Sequence, residues 1–278
     1  MGSFAARSDL AVHRDVAYHT DPHPRQRLDL YLPRGEGPWP LIIWVHGGAF
    51  RMGSKEDGAP TEYLERGYAV ASLNYRLSQH ATWPAQIVDC KAAVRWLRAH
   101  ADDYGLDPHR FAAWGPSAGG HLVAMLGVTG HLPTFDRGQH LDHSSHVSAV
   151  VDYYGPTDFL QMDAHRPPDG MVHDAPDSPE SELVGGPIQE HPERVASANP
   201  VTYMSANAPP FLIVHGELDP LVPHHQSVLL AEALRAAGVR VELYTVAGAG
   251  HGGFTDPRVD ELTEAFLARA IGPHGGGA

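Results

Sequence analysis

The feature that most constrains the fold is a short turn, Gly115-Pro116-Ser117-Ala118-Gly119-Gly120, set between an apolar run over 110–114 and a helical pattern over 117–128. A G-x-S-x-G sequence between strand and helix describes a sharp, strained turn with serine at its apex, and the glycines remove side chains that would clash there. A strand that feeds a helix this abruptly belongs to a sheet covered by helices, so the turn selects an α/β architecture. The bland alternative is a tight turn carrying an incidental serine. The remaining chain decides between the two.

That chain alternates as such a sheet requires. Continuous apolar runs at 41–45, 68–73, 110–114, 149–154 and 211–214 read as central strands covered on both faces. Two earlier runs, 10–18 and 27–32, flank a turn rich in Pro, Asp and His and read as an antiparallel hairpin. Val239, Val241 and Leu243 alternate with Arg240 and Glu242, which predicts a strand with one wetter face. Helices are expected over 84–103, 117–128, 223–237 and 259–270, with Pro84 in a first turn and Gly238 as a C′ glycine. Cys90 lies on the apolar stripe of Ile87, Val94 and Leu97 and reads as a small core residue. The expectation is one domain over 1–278, a mostly parallel central sheet flanked by helices. The segment 156–210 breaks the rhythm with closely spaced prolines and short helical pieces such as 190–198, and reads as a lid or cap inserted over the site. The Gly-rich tail 272–278 is expected to lack order.

Three further motifs follow predicted strands. His46-Gly47-Gly48-Ala49-Phe50 follows 41–45, and a His-Gly-Gly loop there offers backbone N–H groups to an anionic oxygen that must approach the main chain closely. The expected donors are the N–H groups of Gly48, Ala49 and Ala118, with Gly47 as the substitute, and His46 is expected to brace the loop. Asp219 follows 211–214, and Glu217 is its competitor; Asp219 lies further into the turn, next to the rigid Pro220. His251 sits among Gly248, Gly250, Gly252 and Gly253, a setting that suits an imidazole brought to a tight spot rather than a core histidine. The chain order Ser117, Asp219, His251 is that of a serine nucleophile, an orienting acid and a general base on this type of sheet.

Composition removes other classes. A net charge of −13 opposes binding to nucleic acid and to anionic membranes. One cysteine allows no intrachain disulfide. No apolar run is long enough to span a bilayer and none in 1–18 resembles a signal-peptide core, so a cytoplasmic location is expected. Twenty histidines invite a metal reading, but they are scattered and no HExxH or CxxC spacing occurs. His224 and His225 are adjacent and do not share a helix face, while His140, His143 and His146 fall in a polar loop. No metal and no organic cofactor is expected.

With these motifs in view the chain resembles α/β-hydrolase esterases of the hormone-sensitive-lipase-like and bacterial feruloyl/acetylxylan-esterase-like group. The resemblance is carried by HGGAF at 46–50, NYRL at 74–77, the stretch from Trp83 to Gly127, the Asp219 loop and GAGHGGF at 248–254. It implies an α/β-hydrolase fold and hydrolysis of carboxylic esters with small acyl groups, some of them on acetylated or feruloylated carbohydrates. Two departures stand out: Ala49 occupies a position where many relatives carry glycine, and Pro116 precedes the serine where Glu, Asp or Ala is common. The first narrows the acyl entrance; the second alters substrate preference beside the turn.

Phe50, Trp83, Pro116 and Met171 are the expected pocket residues. Asp89, Arg95 and Arg76 are expected to form structural ion pairs, and Asp158 to cap a short helix. The expected partner is a small-molecule ester, and a homodimer is left open. Two other readings compete: a small-amide hydrolase, formamidase- or peptidase-like, using the same three residues, and a non-catalytic ligand-binding homologue, since fold alone does not fix function. The second is disfavoured because such proteins usually lose one of the three groups, and all are present.

Overall fold

The computed structural model describes residues 10–273. Eight strands, β1 (Ala11–Ala17), β2 (Arg27–Leu32), β3 (Trp39–Val45), β4 (Ala69–Leu73), β5 (Leu106–Pro116), β6 (Ala149–Tyr153), β7 (Phe211–Gly216) and β8 (Val241–Val246), form one sheet in the order β1-β2-β4-β3-β5-β6-β7-β8. The first two interfaces, β1·β2 and β2·β4, are antiparallel, the first as the hairpin reading expects, and the other five are parallel. This is the mostly parallel, helix-flanked sheet that the sequence pattern predicts.

Every residue of β3 and β4 is buried, the mark of strands covered on both sides. Alternate residues of each central strand feed two separate cores. Leu41, Ile43, Phe111, Ala113, Phe211 and Ile213 point to one face, where α1 (Ala85–Ala99), α3 (Ala118–Thr129) and α7 (His225–Ala236) supply Ile87, Leu122 and Leu230. Ile42, Trp44, Ala112, Trp114, Leu212 and Val214 point to the other, against Phe266 and Leu267 of α8 (Pro257–Ile271). Cys90 is fully buried in the first core.

Some boundaries differ from expectation. The helix expected over 84–103 breaks at His100, which leaves the helical ψ value, so that a separate short helix α2 (Ala101–Tyr104) follows α1. The His100 imidazole stacks on Trp96 and its Nδ1 lies 2.8 Å from the Trp96 carbonyl, a local bond that competes with helix continuation. Pro84 precedes α1 as its N-cap rather than occupying its first turn. Val239 lies outside β8: Gly238 adopts φ +77° and Val239 N–H bonds the Leu234 carbonyl, so Val239 belongs to the α7 C-terminal cap. β8 is the sheet edge and is half-buried on both faces rather than wetter on one.

The segment 156–210 contains three short helices, α4 (Met162–His165), α5 (Pro179–Val184) and α6 (Pro192–Ala198), joined by 3-10 turns. Asp158 caps the first of those turns through the Leu160 N–H, as expected. No helix among the described residues is long and apolar enough to cross a membrane. Residues 274–278, most of the tail expected to lack order, lie outside the described residues.

Candidate active site

The turn after β5 has the strained geometry its sequence predicts. Ser117 has φ +55° and ψ −122°, a conformation that L-residues rarely adopt. A Cβ on Gly119 would stand 2.0 Å from the Val45 carbonyl oxygen, and one on Gly115 would stand 2.6 Å from it. Only glycine at both positions lets α3 start this close to β3. Ser117 N–H is bonded to the Tyr153 carbonyl at 2.7 Å, and Tyr154 N–H to the Val214 carbonyl at 2.8 Å, so consecutive strand ends are tied to one another by peptide groups.

The loops after β7 and β8 close on this turn. His251 Nε2 lies 3.0 Å from Ser117 Oγ, and His251 Nδ1 lies 2.6 Å from Asp219 Oδ2. Asp219 is buried, and its other oxygen accepts the N–H groups of Leu221 and Val222 at 2.8 and 2.9 Å. Burial alone would raise the Asp219 pKa, but hydrogen bonds from His215 and His251 outweigh it and hold the carboxyl well below its usual range. The group is therefore an anion at neutral pH. Glu217 is exposed and instead accepts the Gly248 N–H at 2.9 Å, so of the two acids it is Asp219 that meets His251.

The loop after β3 runs beside the serine. Gly47 packs against the elbow so tightly that a Cβ there would be 2.9 Å from the Pro116 carbonyl oxygen. Gly48 has φ +110°, and Ala49 and Phe50 also have positive φ, a strained conformation for these two non-glycine residues. The His46 ring stacks on Tyr75 at 4.4 Å and accepts from Arg25 at Nε2 over 2.9 Å, which leaves Nδ1–H to donate to the Gly47 carbonyl at 2.6 Å. Burial lowers its pKa to about 4, so His46 is neutral and braces the loop. Further along, the buried Lys55 ammonium lies 2.8 Å from Asp29 and 3.1 Å from Asp15, while its backbone N–H bonds Asn74. These contacts pin the loop to β2 and β4. Ala118 begins α3, where the first amides have no intrahelical acceptor.

A cavity of about 60 Å³ opens beside the serine, lined on its apolar side by Ala49, Phe50, Pro156, Met171 and Leu221. Ser117, Ala118 and His251 form its floor, and His173 and Glu180 add a polar wall. Of the four expected pocket residues, Phe50 and Met171 line it. Trp83 and Pro116 do not: the Trp83 ring turns edge-on to His121 and Phe135, and Pro116 ends β5 with its carbonyl against Gly47.

The BD-FAE family pattern matches residues 28–234, which covers most of this sheet and the serine turn. The chain belongs to the BD-FAE family. Esterase LipC of Mycobacterium tuberculosis is 34% identical over 254 residues, 89% of this chain and 62% of LipC. The chain spans 50 to 62% of the length of three curated mycobacterial relatives. Among solved structures, a truncated carbohydrate esterase from gut microbiota matches with a TM-score of 0.84 and 33% identity, over 94% of this chain and 96% of that one. A bifunctional GH43-CE protein of Bacteroides eggerthii matches with a TM-score of 0.85 and 34% identity, over 94% of this chain and 38% of that one. These relationships bear out the resemblance to α/β-hydrolase esterases carried by the motifs.

Three features of this BD-FAE chain had no assigned role in the motifs. His215, just ahead of Asp219, places Nε2 3.1 Å from Asp219 Oδ2 and 2.9 Å from the Val222 carbonyl, and Nδ1 2.6 Å from Ser227 Oγ. With two acceptors at Nε2, that nitrogen carries the proton and Ser227 donates to Nδ1. Asp152 of β6 is buried beneath the serine turn; it accepts the Gly155 N–H and stands where a Cβ on Gly120 would be 2.3 Å away. Burial raises its pKa to about 7. His173 and Glu180 come from the segment least readable in sequence. The ion-pair expectation holds for all three residues: Arg76 pairs with Asp89, and Arg95 pairs with Asp136. Among the described residues, no group of three or more His, Cys, Asp or Glu side chains is placed to hold a metal ion.

Proposed function

We propose that this protein is a serine carboxylic ester hydrolase acting on short-acyl esters, including acetylated carbohydrates, through an acyl-enzyme on Ser117. The observation that carries the reading is the continuous hydrogen-bonded line from Ser117 Oγ through His251 to Asp219, at 3.0 and 2.6 Å, beside a small apolar cavity. In this reading His251 Nε2 takes the Ser117 proton as Oγ attacks the ester carbonyl. Asp219 holds Nδ1–H, fixing the tautomer and stabilising the imidazolium. The N–H groups of Gly48, Ala49 and Ala118, with Gly47 as alternate, receive the negative oxygen of the tetrahedral intermediate. His251 then returns the proton to the leaving alcohol, and a water deprotonated by the same imidazole releases the acid.

Chain length follows from volume. About 10–15 Å³ of such space holds one water-sized group, so a cavity of about 60 Å³ takes about four to six non-hydrogen atoms. That suits acetyl to butyryl. Segment 156–210 acts as a lid in this reading, because Pro156, Met171, His173, Pro179 and Glu180 all come from it to the cavity wall. The carbohydrate esterase similar in structure supports an alcohol portion of sugar type.

The deciding experiment is hydrolysis of p-nitrophenyl acetate, butyrate and octanoate by the wild type and Ser117→Ala, with an acetylated xylooligosaccharide alongside. Rates that decline from butyrate to octanoate and vanish in the variant are expected. Ester turnover unchanged in Ser117→Ala, or absent from the wild type, would overturn the assignment.

A further inference from the structure

His251 sits in a loop with little stiffness of its own, beside Gly250, Gly252 and Gly253. That loop closes on Tyr154, the residue after β6. The Tyr154 and His251 ring centroids are 4.6 Å apart, with their planes at 62°. Phe254, beyond the glycines, packs edge-on to the same phenol at 5.5 Å. Between the two, Gly252 has φ +80°, and a Cβ there would stand 2.6 Å from the Tyr154 hydroxyl oxygen. The loop therefore meets one phenol ring at positions 251, 252 and 254.

Tyr154 is held independently of that loop. Its N–H bonds the Val214 carbonyl at 2.8 Å, and the Ser117 N–H bonds the carbonyl of Tyr153 just before it. The ring thus starts from a backbone tied both to the strand that leads to Asp219 and to the serine turn. Its φ is +45°, a region that a bulky residue rarely enters and that glycine or asparagine occupies at lower cost. A strained aromatic residue beside reacting groups points to a role in the site. Packing does not supply the reason, since Tyr154 belongs to neither core on the faces of the sheet. Nor does substrate contact, because the cavity at Ser117 is lined by other residues. The hydroxyl is not the working part either. Burial raises its pKa to about 12, so it stays protonated, and no hydrogen bond ties it among the described residues.

We propose that Tyr154 is a positioning residue for the general base: its flat ring is the stop against which the glycine loop sets the His251 imidazole between Asp219 and Ser117. The assignment rests on the ester-hydrolase reading and adds a fourth side chain to the geometry behind it. His251 Nε2 lies 3.0 Å from Ser117 Oγ, and a misplacement of about 1 Å costs about 10²-fold in rate. Acylation and deacylation both use the imidazole, so both slow together and the loss falls on kcat with KM unchanged.

The test is steady-state hydrolysis of p-nitrophenyl butyrate by the wild type, Tyr154→Phe and Tyr154→Leu, with thermal melts to establish folding. Both replacements keep a Cβ and share the strain at this φ, so the comparison isolates the ring. Tyr154→Phe is expected to retain kcat within about twofold, and Tyr154→Leu to lower it by about 10- to 100-fold with KM within about threefold. Gly252→Ala approaches the contact from the loop side. It is expected to lower kcat, and adding Tyr154→Phe, which removes the oxygen its methyl would strike, should recover part of the loss. Wild-type kcat in a folded Tyr154→Leu overturns the role, as does a loss carried by KM, the mark of a substrate contact. An equal loss in Tyr154→Phe, or no recovery in the double variant, overturns the assignment to the ring. No turnover by the wild type removes the ester-hydrolase reading and this one together, whereas turnover indifferent to position 154 removes this one alone.

Discussion

His251 and His215 hydrogen-bond to the same carboxylate oxygen, Asp219 Oδ2, at 2.6 and 3.1 Å. One imidazole faces the serine, and the other is fully buried behind the acid with Ser227 on its far nitrogen. The carboxylate is therefore oriented from both sides, and the two histidines make unequal demands on it. Asp219→Asn is expected to lower kcat by about 10³- to 10⁴-fold, because the amide no longer holds the imidazole in the required tautomer. His215→Leu leaves the His251 contact and both backbone bonds in place and removes one charge-assisted bond. A loss of about tenfold in kcat/KM is expected, with a lower melting temperature from the unpaired Ser227 hydroxyl. Equal losses in the two variants would contradict this ordering.

Gly48 combines φ +110° with a main-chain neighbour where a side chain would sit, since a Cβ there would lie 2.3 Å from the Met52 carbonyl oxygen. Gly48→Ala must move the loop and with it the amides proposed to receive the oxyanion. A kcat lowered by about 10²- to 10³-fold is expected, the effect of losing one such donor. Circular dichroism should still report a folded sheet. Wild-type turnover in the alanine variant would remove Gly48 from the oxyanion site.

Asp152 makes stability depend on pH in the direction opposite to most carboxylates. Its pKa is raised to about 7 by burial, so between its unfolded value near 4 and that folded value the native state binds more protons than the unfolded one. Stability contributed by this group is full in acid and lost as pH rises through about 7. Between pH 5 and 8 the loss from Asp152 is roughly 3 kcal/mol. In Asp152→Asn that part of the slope should disappear, as read from urea unfolding at the two pH values. An identical slope in both proteins would place the titration elsewhere.

Lys55 is 3% exposed and faces Asp29, which is fully buried. Lys55→Met removes the buried cation and leaves Asp29 only the exposed Arg14 guanidinium, 3.2 Å away, at a cost of about 3–5 kcal/mol. Adding Asp29→Asn should recover part of the loss, because the buried charge that has lost its buried partner is then gone. A double variant less stable than Lys55→Met would show that Asp29 relies on Arg14 instead.

The legible parts of this protein are those dictated by local rules. The strained turn at Ser117, the glycine loop at 47–48 and the double-sided strands follow from short-range sterics and alternation, and the structure places them as the pattern predicts. Asp219 was separable from Glu217 only by its depth in a turn. What was not legible depends on where a side chain lands across the fold. Trp83 lies close to the serine's helix, yet its ring turns into the packing with His121 and Phe135, a choice made by neighbours remote in sequence. His173 and Glu180 sit in a segment with no periodicity, so nothing local marks them as a pair facing Ser117. Asp152 reads as one polar interruption in an apolar strand, and its contact with Gly155 follows only from the turn beyond β6.

The hydrogen bonds from Ser117 N–H to Tyr153 and from Tyr154 N–H to Val214 are made by peptide groups, which every substitution except proline retains. Glu217 N–H to the Val246 carbonyl continues the same series across the next strand. The spacing of Ser117, Asp219 and His251 is thus a ruler graduated by strand separation, about 4.8 Å per step, and largely indifferent to side-chain identity. Lengthening is another matter. One residue inserted into β5, β6 or β7 shifts the register and turns every following side chain to the opposite face. Descendants of this chain can therefore diverge widely by substitution within the strands, while changes in length are confined to the loops and to segment 156–210.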